Sequence, residues 1–297
     1  MRTPGTPSMD QLQVLLAVVE AGSFTGAAKR LGRAVSAISY AIDALEAQLG
    51  IPVFSRGSTR KPRLTEAGAA IHSEARAVAL SVEAFRARVK GLHDGLEPEV
   101  SLVVDYMYPS DHLAVVLEDF HAAFPTVPLR LTAQPLNGVE RAVRHGDAGI
   151  GVGSLFHMDI TGMREFEIEP VPIFPVAAPN HPLASTEEAW PSALPHVQLV
   201  LSDQPDADAE GRTFGLVSQA TWRIGDLNLK RKLLLRGIGW GSMPEPMVRA
   251  DLEAGRLVRL TLKDYRGGDY QLQVVHKIET PPGPAGQWLI ERLRAPR

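Results

Sequence analysis

The chain has 297 residues, 44% of them hydrophobic, which is enough for more than one domain with its own core. It contains no cysteine, so disulfides, thiolate metal sites and thiol redox sensing by the protein itself are excluded. The formal net charge of −3 hides an asymmetry, because residues 1–90 carry 12 Lys/Arg against 7 Asp/Glu while the remainder carries 19 against 27. A basic head on an acidic body suits a molecule that touches a polyanion at one end only. There is no apolar leader and no run of 18 apolar residues, so the expected location is the cytoplasm and no membrane is expected as a partner.

In chain order, residues 9–21 have helical spacing, with Leu12, Leu15, Leu16 and Val19 on one face and Gly22 as the stop. Ser23 or Thr25 caps a short second helix with Ala27, Ala28 and Leu31 inward, broken at Gly32. A third helix over residues 35–49 has Ala34, Ile38, Ile42, Leu45 and Leu49 as its apolar face. Its other face opens with Ser36, Ser39 and Tyr40, short polar groups and one phenol at the amino end. Two short helices joined by a tight turn, the second polar at its start, is the geometry that reads a DNA major groove. Residues 51–55 and 62–65 suggest two short strands around a basic turn, Arg56 to Lys61. A basic hairpin beside a recognition helix reads as a wing along phosphates.

These residues carry a specific resemblance. Ala17, Gly22-Ser23-Phe24, Ala27, Ala28, Leu31, Ser36, Ser39, Leu45-Glu46, Leu49-Gly50, Phe54, Arg56 and the run Leu64-Thr65-Glu66-Ala67-Gly68 resemble the winged helix-turn-helix of LysR-type transcriptional regulators. Relatives often carry Gln, Pro or Ser before the first recognition serine and Arg after the second, where this chain has Val35 and Tyr40. The resemblance implies double-stranded DNA as partner. Ser36, Ser39 and Tyr40 are then the expected groove contacts, and Arg33, Arg56, Arg60, Lys61 and Arg63 the expected phosphate contacts.

Residues 66–92 read as one long helix. Ile71, Ala75, Val78, Val82, Phe85, Val89 and Leu92 alternate by four and three, an a/d seam of three heptads. The seam predicts self-association, with Ile71, Ala75, Val78, Val82, Phe85 and Val89 as dimerisation residues, although a helix packed on its own domain gives the same pattern. The resemblance favours pairing between subunits, in a homodimer or homotetramer. Gly91, Gly95 and Pro98 mark a hinge.

Beyond Pro98 the pattern becomes strand, helix, strand, helix, strand: residues 100–104, 113–124, 129–132, 139–145 and 149–153. That order implies a parallel sheet with helices on both faces. A second unit follows, with strands near residues 167–178, 196–202, 221–224, 239–243 and 257–260 and helices over 226–236 and 245–253. Residues 206–210 form an acidic surface loop, residues 270–278 a long strand able to cross back to the first unit, and residues 281–284 start a last helix. Two α/β lobes joined by crossing strands resemble the periplasmic-binding-protein-like effector domain of the same family. The marks are Leu117, Phe120, Phe124-Pro125, Gly146-Asp147, His181-Pro182-Leu183, Gly237 to Pro244 and Gly255 to Val258.

The expected fold is therefore α/β: an N-terminal winged helix-turn-helix at 8–65, a linker helix at 66–92, and a two-lobed effector domain at 99–297. Lobe one takes about 99–160 and 270–297, and lobe two about 161–269. Ligands of open α/β lobes bind beyond the carboxyl ends of strands. That rule points to Asp105, Tyr106, Met107 and Asn137 in one lobe and to Ser202, Asp203 and Asp226 in the other, for a small-molecule effector. Asn137 and Asp226 also stand where plain helix caps belong. Asp105, where relatives carry a neutral hydroxyl, together with Asp203 and Asp226 predicts a negative cleft and a neutral, zwitterionic or cationic effector. Arg223 is the only obvious compensating cation.

The glycines of Gly149, Gly151 and Gly153 lie within a strand and open no phosphate loop, and the nine histidines form no metal or catalytic motif. No enzyme activity, metal or cofactor is expected. A ligand-independent DNA-structuring protein remains the alternative, with an enzyme on the two-lobed domain behind it.

Overall fold

The computed structural model describes residues 5–55, 62–134, 138–154, 160–184, 192–202 and 215–295. The chain divides into two compact units, Met1–Gly91 and Leu92–Arg297.

The first unit is built on locally specified helices. α1 (Met9–Ala21) starts with a capping box: the Gln11 N–H donates to the Ser8 hydroxyl at 3.2 Å, and the Ser8 N–H to the Gln11 side chain at 2.8 Å. α2 (Phe24–Leu31) is capped by Ser23 rather than Thr25, through the Gly26 N–H at 3.0 Å. α3 (Val35–Leu49) has Ala34 at its N-cap and no side-chain cap. Val14, Leu15, Val18, Ala27, Ala28, Ile38, Ile42 and Leu45 form the core. The inner face of α1 is centred on Val14 and Val18, with Leu12, Leu16 and Val19 only partly buried, because neighbours pack on two sides of the helix. Ala34, expected inward, is exposed at the helix start.

Among the described residues the expected two-stranded wing is one bridge, Phe54 with Leu64. The Val53 N–H, which would extend the ladder to the Thr65 carbonyl, goes to a side chain instead. The bridge is flanked by backbone hydrogen bonds from the Ser55 N–H to the Arg63 carbonyl and from the Thr65 N–H to the Val53 carbonyl, each 2.9 Å, and the Glu46 carboxylate accepts from the Val53 and Phe54 N–H groups at 2.6 and 2.9 Å. α4 (Glu66–His93) begins where the Gly68 N–H donates to the Thr65 hydroxyl at 2.8 Å, while that hydroxyl donates to the Pro52 carbonyl at 2.7 Å. Its 28 residues span about 42 Å.

In the second unit, β1 (Val100–Asp105), α5 (Ser110–Ala123), β2 (Leu129–Gln134), α6 (Gly138–His145) and β3 (Ile150–Gly153) form the βαβαβ half, with β2 and β3 parallel to β1 on either side. β4 (Met163–Ala177) is followed by β5 (Gln198–Leu201), β6 (Thr221–Ile224), α7 (Leu227–Leu235), β7 (Gly241–Pro244), α8 (Glu245–Glu253), β8 (Val258–Arg259), β9 (Gly268–Lys277) and α9 (Pro284–Arg294). The large sheet runs β2-β1-β3-β9-β4-β7, with β8 also on β4, and β5 pairs β6 in parallel. β9 is antiparallel to β3 at one end and to β4 along its length, so these two long strands cross from one half to the other. The crossing carries a bulge between Ile168 and Val171, at Pro170, which has no N–H for the ladder. Among the described residues no helix is long and apolar enough to cross a membrane.

Candidate functional site

At the amino end of α3, Ser36 and Tyr40 are exposed and Ser39 is half-buried. Ile38, Ala41, Ile42 and Leu45 hold the opposite face in the core. Tyr40 is 76% exposed, an unusual amount for a phenol with no packing role. The first turn has no acidic residue and no side-chain cap, so its free N–H groups and positive dipole end face outward, which favours phosphate. Arg33 is not free: it makes a two-pronged pair with Asp10 at 2.6 and 2.9 Å, which holds the Asp10 carboxyl below its usual range. Arg33 reaches a phosphate only by sharing or leaving that pair. Arg63 is exposed, its carbonyl accepting the Ser55 N–H at 2.9 Å. Arg56, Arg60 and Lys61 lie outside the described residues.

The seam of α4 divides. Ala75 is buried in the core of the N-terminal unit and so is not available to a partner helix, a correction to the dimerisation set, and Ile71 is half-buried against that core. The physical reason is that the first three turns of α4 lie over the three-helix core. Val78, Phe85 and Leu92 are exposed, and Val82 and Val89 half-buried.

In the second unit a cleft of about 490 Å³, part of it open to solvent, is lined by Met107 from the turn after β1, Ile173, the four residues of β5, Lys230 of α7, Ser242 of β7, Tyr265 and Tyr270. It lies where the strand-end rule pointed, yet among the described residues of the predicted set only Met107 lines it. Asn137 and Asp203 lie outside the described residues. Asp226 is exposed and caps α7 through the Leu229 N–H, the plain capping role. Ser202 is buried, with its N–H on the Ile224 carbonyl, and Tyr106 is half-buried beside β2.

Asp105 is buried, 1% exposed, and sits in the wall rather than the cleft. It accepts the Tyr270 hydroxyl at 2.7 Å and the Met107 N–H at 2.8 Å. Burial raises its carboxyl to about 6, against the lowering by the Met107, Tyr270 and Ser154 hydrogen bonds. Of the carboxylates expected to make the cleft negative, Asp105 is turned inward and Asp226 caps α7, while Asp203 lies outside the described residues; the cation on the described lining is Lys230, and Arg223 is not on it.

Lys230 is 3% exposed, and its Nζ donates to the Ser242 carbonyl at 2.7 Å. Burial pushes its ammonium down to about 7. Gly241 makes room for it, since a Cβ there would lie 3.0 Å from the lysine Cε and 2.6 Å from the Leu199 carbonyl oxygen. Sequence reading missed this residue, although a signal existed: Leu227, Lys230 and Leu234 fall at i, i+3 and i+7, the buried stripe of α7. A lysine on such a stripe is rare without a reason.

The raised Asp105 carboxyl makes a stability prediction. A neutral acid favoured by the fold contributes fully below the unfolded value near 4, and that contribution is lost as pH rises through about 6. Asp105→Asn should remove a loss of about 3 kcal/mol between pH 4 and pH 6. Parallel denaturant titrations of wild type and variant check it; curves with the same pH slope would refute the buried neutral acid.

Two family models cover the chain in tandem. Residues 9–69 match the bacterial regulatory helix-turn-helix protein, lysR family, and residues 93–296 match the LysR substrate binding domain. The chain belongs to the LysR family of regulators. It is a LysR-type, DNA-binding transcriptional regulator with an effector-binding domain. It is 26% identical to the HTH-type transcriptional regulator AceR of Acinetobacter baumannii, covering 98% of this chain and 97% of that protein. It is 27% identical to the transcriptional activator AllS of Klebsiella pneumoniae, covering 86% and 95%. Among solved structures, full-length LysG of Corynebacterium glutamicum with its effector Arg bound shares the fold at a TM-score of 0.52 and 22% identity, covering 96% of each chain. OxyR of the same organism does so at 0.54 and 18%, covering 99% of this chain and 94% of that one. The two matched domains give the regulator DNA and a small molecule as partners.

Proposed function

We propose that this cytoplasmic LysR-family regulator reads DNA with Ser36, Ser39 and Tyr40 at the start of α3. Arg33, Arg56, Arg60, Lys61 and Arg63 hold phosphates. The organisation is a DNA-reading domain at 8–65, a linker helix at 66–92 whose exposed Val78 and Phe85 and half-buried Val82 and Val89 pair with a second copy, and an effector domain at 99–297. The effector occupies the cleft beside Met107, Lys230 and Tyr270, and the protein performs no chemistry on it. The observation that carries the reading is Tyr40, 76% exposed beside Ser36 on a helix whose other face is core.

Selection of duplexes from a random pool by the full chain tests it. The enriched sequences should contain two inverted half-sites whose centres lie one helical turn or a multiple apart. Tyr40→Ala should lower the preference for the selected site over random DNA about 10- to 100-fold while leaving random-DNA affinity unchanged. No enrichment, or a Tyr40→Ala protein with the wild-type preference, would overturn the assignment of α3.

A further inference from the structure

We infer that the effector of this regulator is a small monocarboxylate whose charged end is held by Lys230 and whose apolar body fills the cleft; the inference rests on the proposal that the cleft is the effector site. The lining decides the chemistry. Met107, Ile173, Leu199, Val200 and Leu201 supply an apolar wall. The Gln198 side chain is spent on the chain itself, donating to the Gly215 carbonyl at 2.6 Å and accepting the Val217 and Ser218 N–H groups at 2.9 and 3.0 Å. Tyr270 is spent on Asp105. Among the described lining residues what is left for a ligand is Lys230, with Ser242 and Tyr265 on the same lining.

An ammonium has three N–H groups, and among the described residues only the Ser242 carbonyl takes one. No carboxylate is among the described lining residues. A buried cation with two open donors loses hydration without repayment, and an oxyanion in the cleft supplies both the counter-charge and the acceptors. One cation compensates one negative charge. A second carboxylate, or a phosphate monoester with close to two charges, would be left partly uncompensated beside a single buried lysine. A cationic ligand would meet Lys230 directly.

The titratable groups on the elements around Lys230 are few. Tyr265 and Tyr270 share the cleft wall, and Asp105 stands behind Tyr270. Arg223 lies on β6, Asp226 caps α7, and Arg231, next on α7, is paired with the buried Asp251 at 2.6 Å. Among the described lining residues Lys230 is the group that carries positive charge near neutral pH, while Asp105 behind Tyr270 titrates near 6. Carboxylate binding needs the protonated lysine, so affinity should fall by up to about tenfold per pH unit above pH 7.

The test uses the full chain and four probes: hexanoate and phenylacetate, with hexanamide and phenylacetamide as their neutral isosteres. Calorimetry at pH 6.5 should show both carboxylates binding and the amides at least tenfold weaker. Lys230→Met, which keeps the apolar stem, should lose that preference and the fall in affinity above pH 7. Equal binding of acids and amides would overturn the anion assignment while leaving the cleft as the effector site. Carboxylate binding undiminished in Lys230→Met would overturn the lysine as anchor. No heat and no thermal stabilisation with any probe would overturn the inference too, because an uncompensated ammonium should gain from any monocarboxylate that fits. Selection on random duplexes reads the DNA-binding proposal separately, so the two can fail independently.

Discussion

Replacing Gly68 by alanine should cost the N-terminal unit about 3 kcal/mol or more and abolish specific DNA binding. The position is the second residue after the start of α4, and its N–H is already committed to the Thr65 hydroxyl. A Cβ there would lie 2.0 Å from the Val53 carbonyl oxygen and 2.9 Å from the Val53 carbonyl carbon. Those atoms are backbone, so they cannot rotate away as a long side chain could. Val53 is also where Glu46 and Thr65 hold the bridge, through the Val53 N–H and the Thr65 N–H on the Val53 carbonyl. A shift of α4 would therefore disturb the bridge and the back of α3 together. All four tryptophans lie in residues 190–288. Their fluorescence reports only the second unit, and its unfolding transition should be unchanged. Hydrogen exchange over α1 to α3 should accelerate strongly. Wild-type amide protection and DNA affinity in the variant would show that the helix does not depend on this close approach.

The second large effect concerns α4 beyond its third turn. Phe85 is 67% exposed in the single chain, and Val78 and Leu92 are also bare. The double substitution Val82→Asp and Phe85→Asp places two carboxylates on the surface that a second copy would cover. Each carboxylate lost from water without a partner costs several kcal/mol, so the dissociation constant of the assembly should rise by roughly a thousandfold or more. Sedimentation should show lighter species, and binding to a two-half-site duplex should fall towards that of a single half-site. Ala75→Asp is the contrasting variant: Ala75 is core, so it should melt the N-terminal unit instead of parting subunits. A double variant of unchanged mass at micromolar concentration would remove the seam from the interface.

The helices of the DNA-reading unit were legible because their boundaries are set within a few residues of chain. Ser8, Ser23, Gly22, Gly32 and Gly50 act through hydrogen bonds to the adjacent turn or through a positive φ that glycine adopts without penalty. The order of strands and helices in the second unit was legible for the same reason, since the alternation of periods is local. Even the bulge between β4 and β9 has a local cause in Pro170.

What the sequence alone determined is which stretches are helical or extended, where they stop, and that the charges of the two ends differ. The tertiary structure decided which faces are covered and which groups meet. The heptad seam of α4 has one period throughout, yet Ile71 and Ala75 pack on their own unit while Phe85 does not, because coverage depends on where the three-helix core ends. Asp105 was visible at a strand end, but its partner Tyr270 is 165 residues away, and only the pairing that brings β9 beside β3 turns the carboxylate inward. Lys230 was visible on an apolar stripe, but its place in a cleft follows from the closeness of Leu199 and Gly241, where the absence of one Cβ leaves the passage for its stem. Local hydrogen bonds and backbone torsions are written in neighbouring residues; the desolvation and charge of a site are set by groups that only the folded chain brings within a few ångströms.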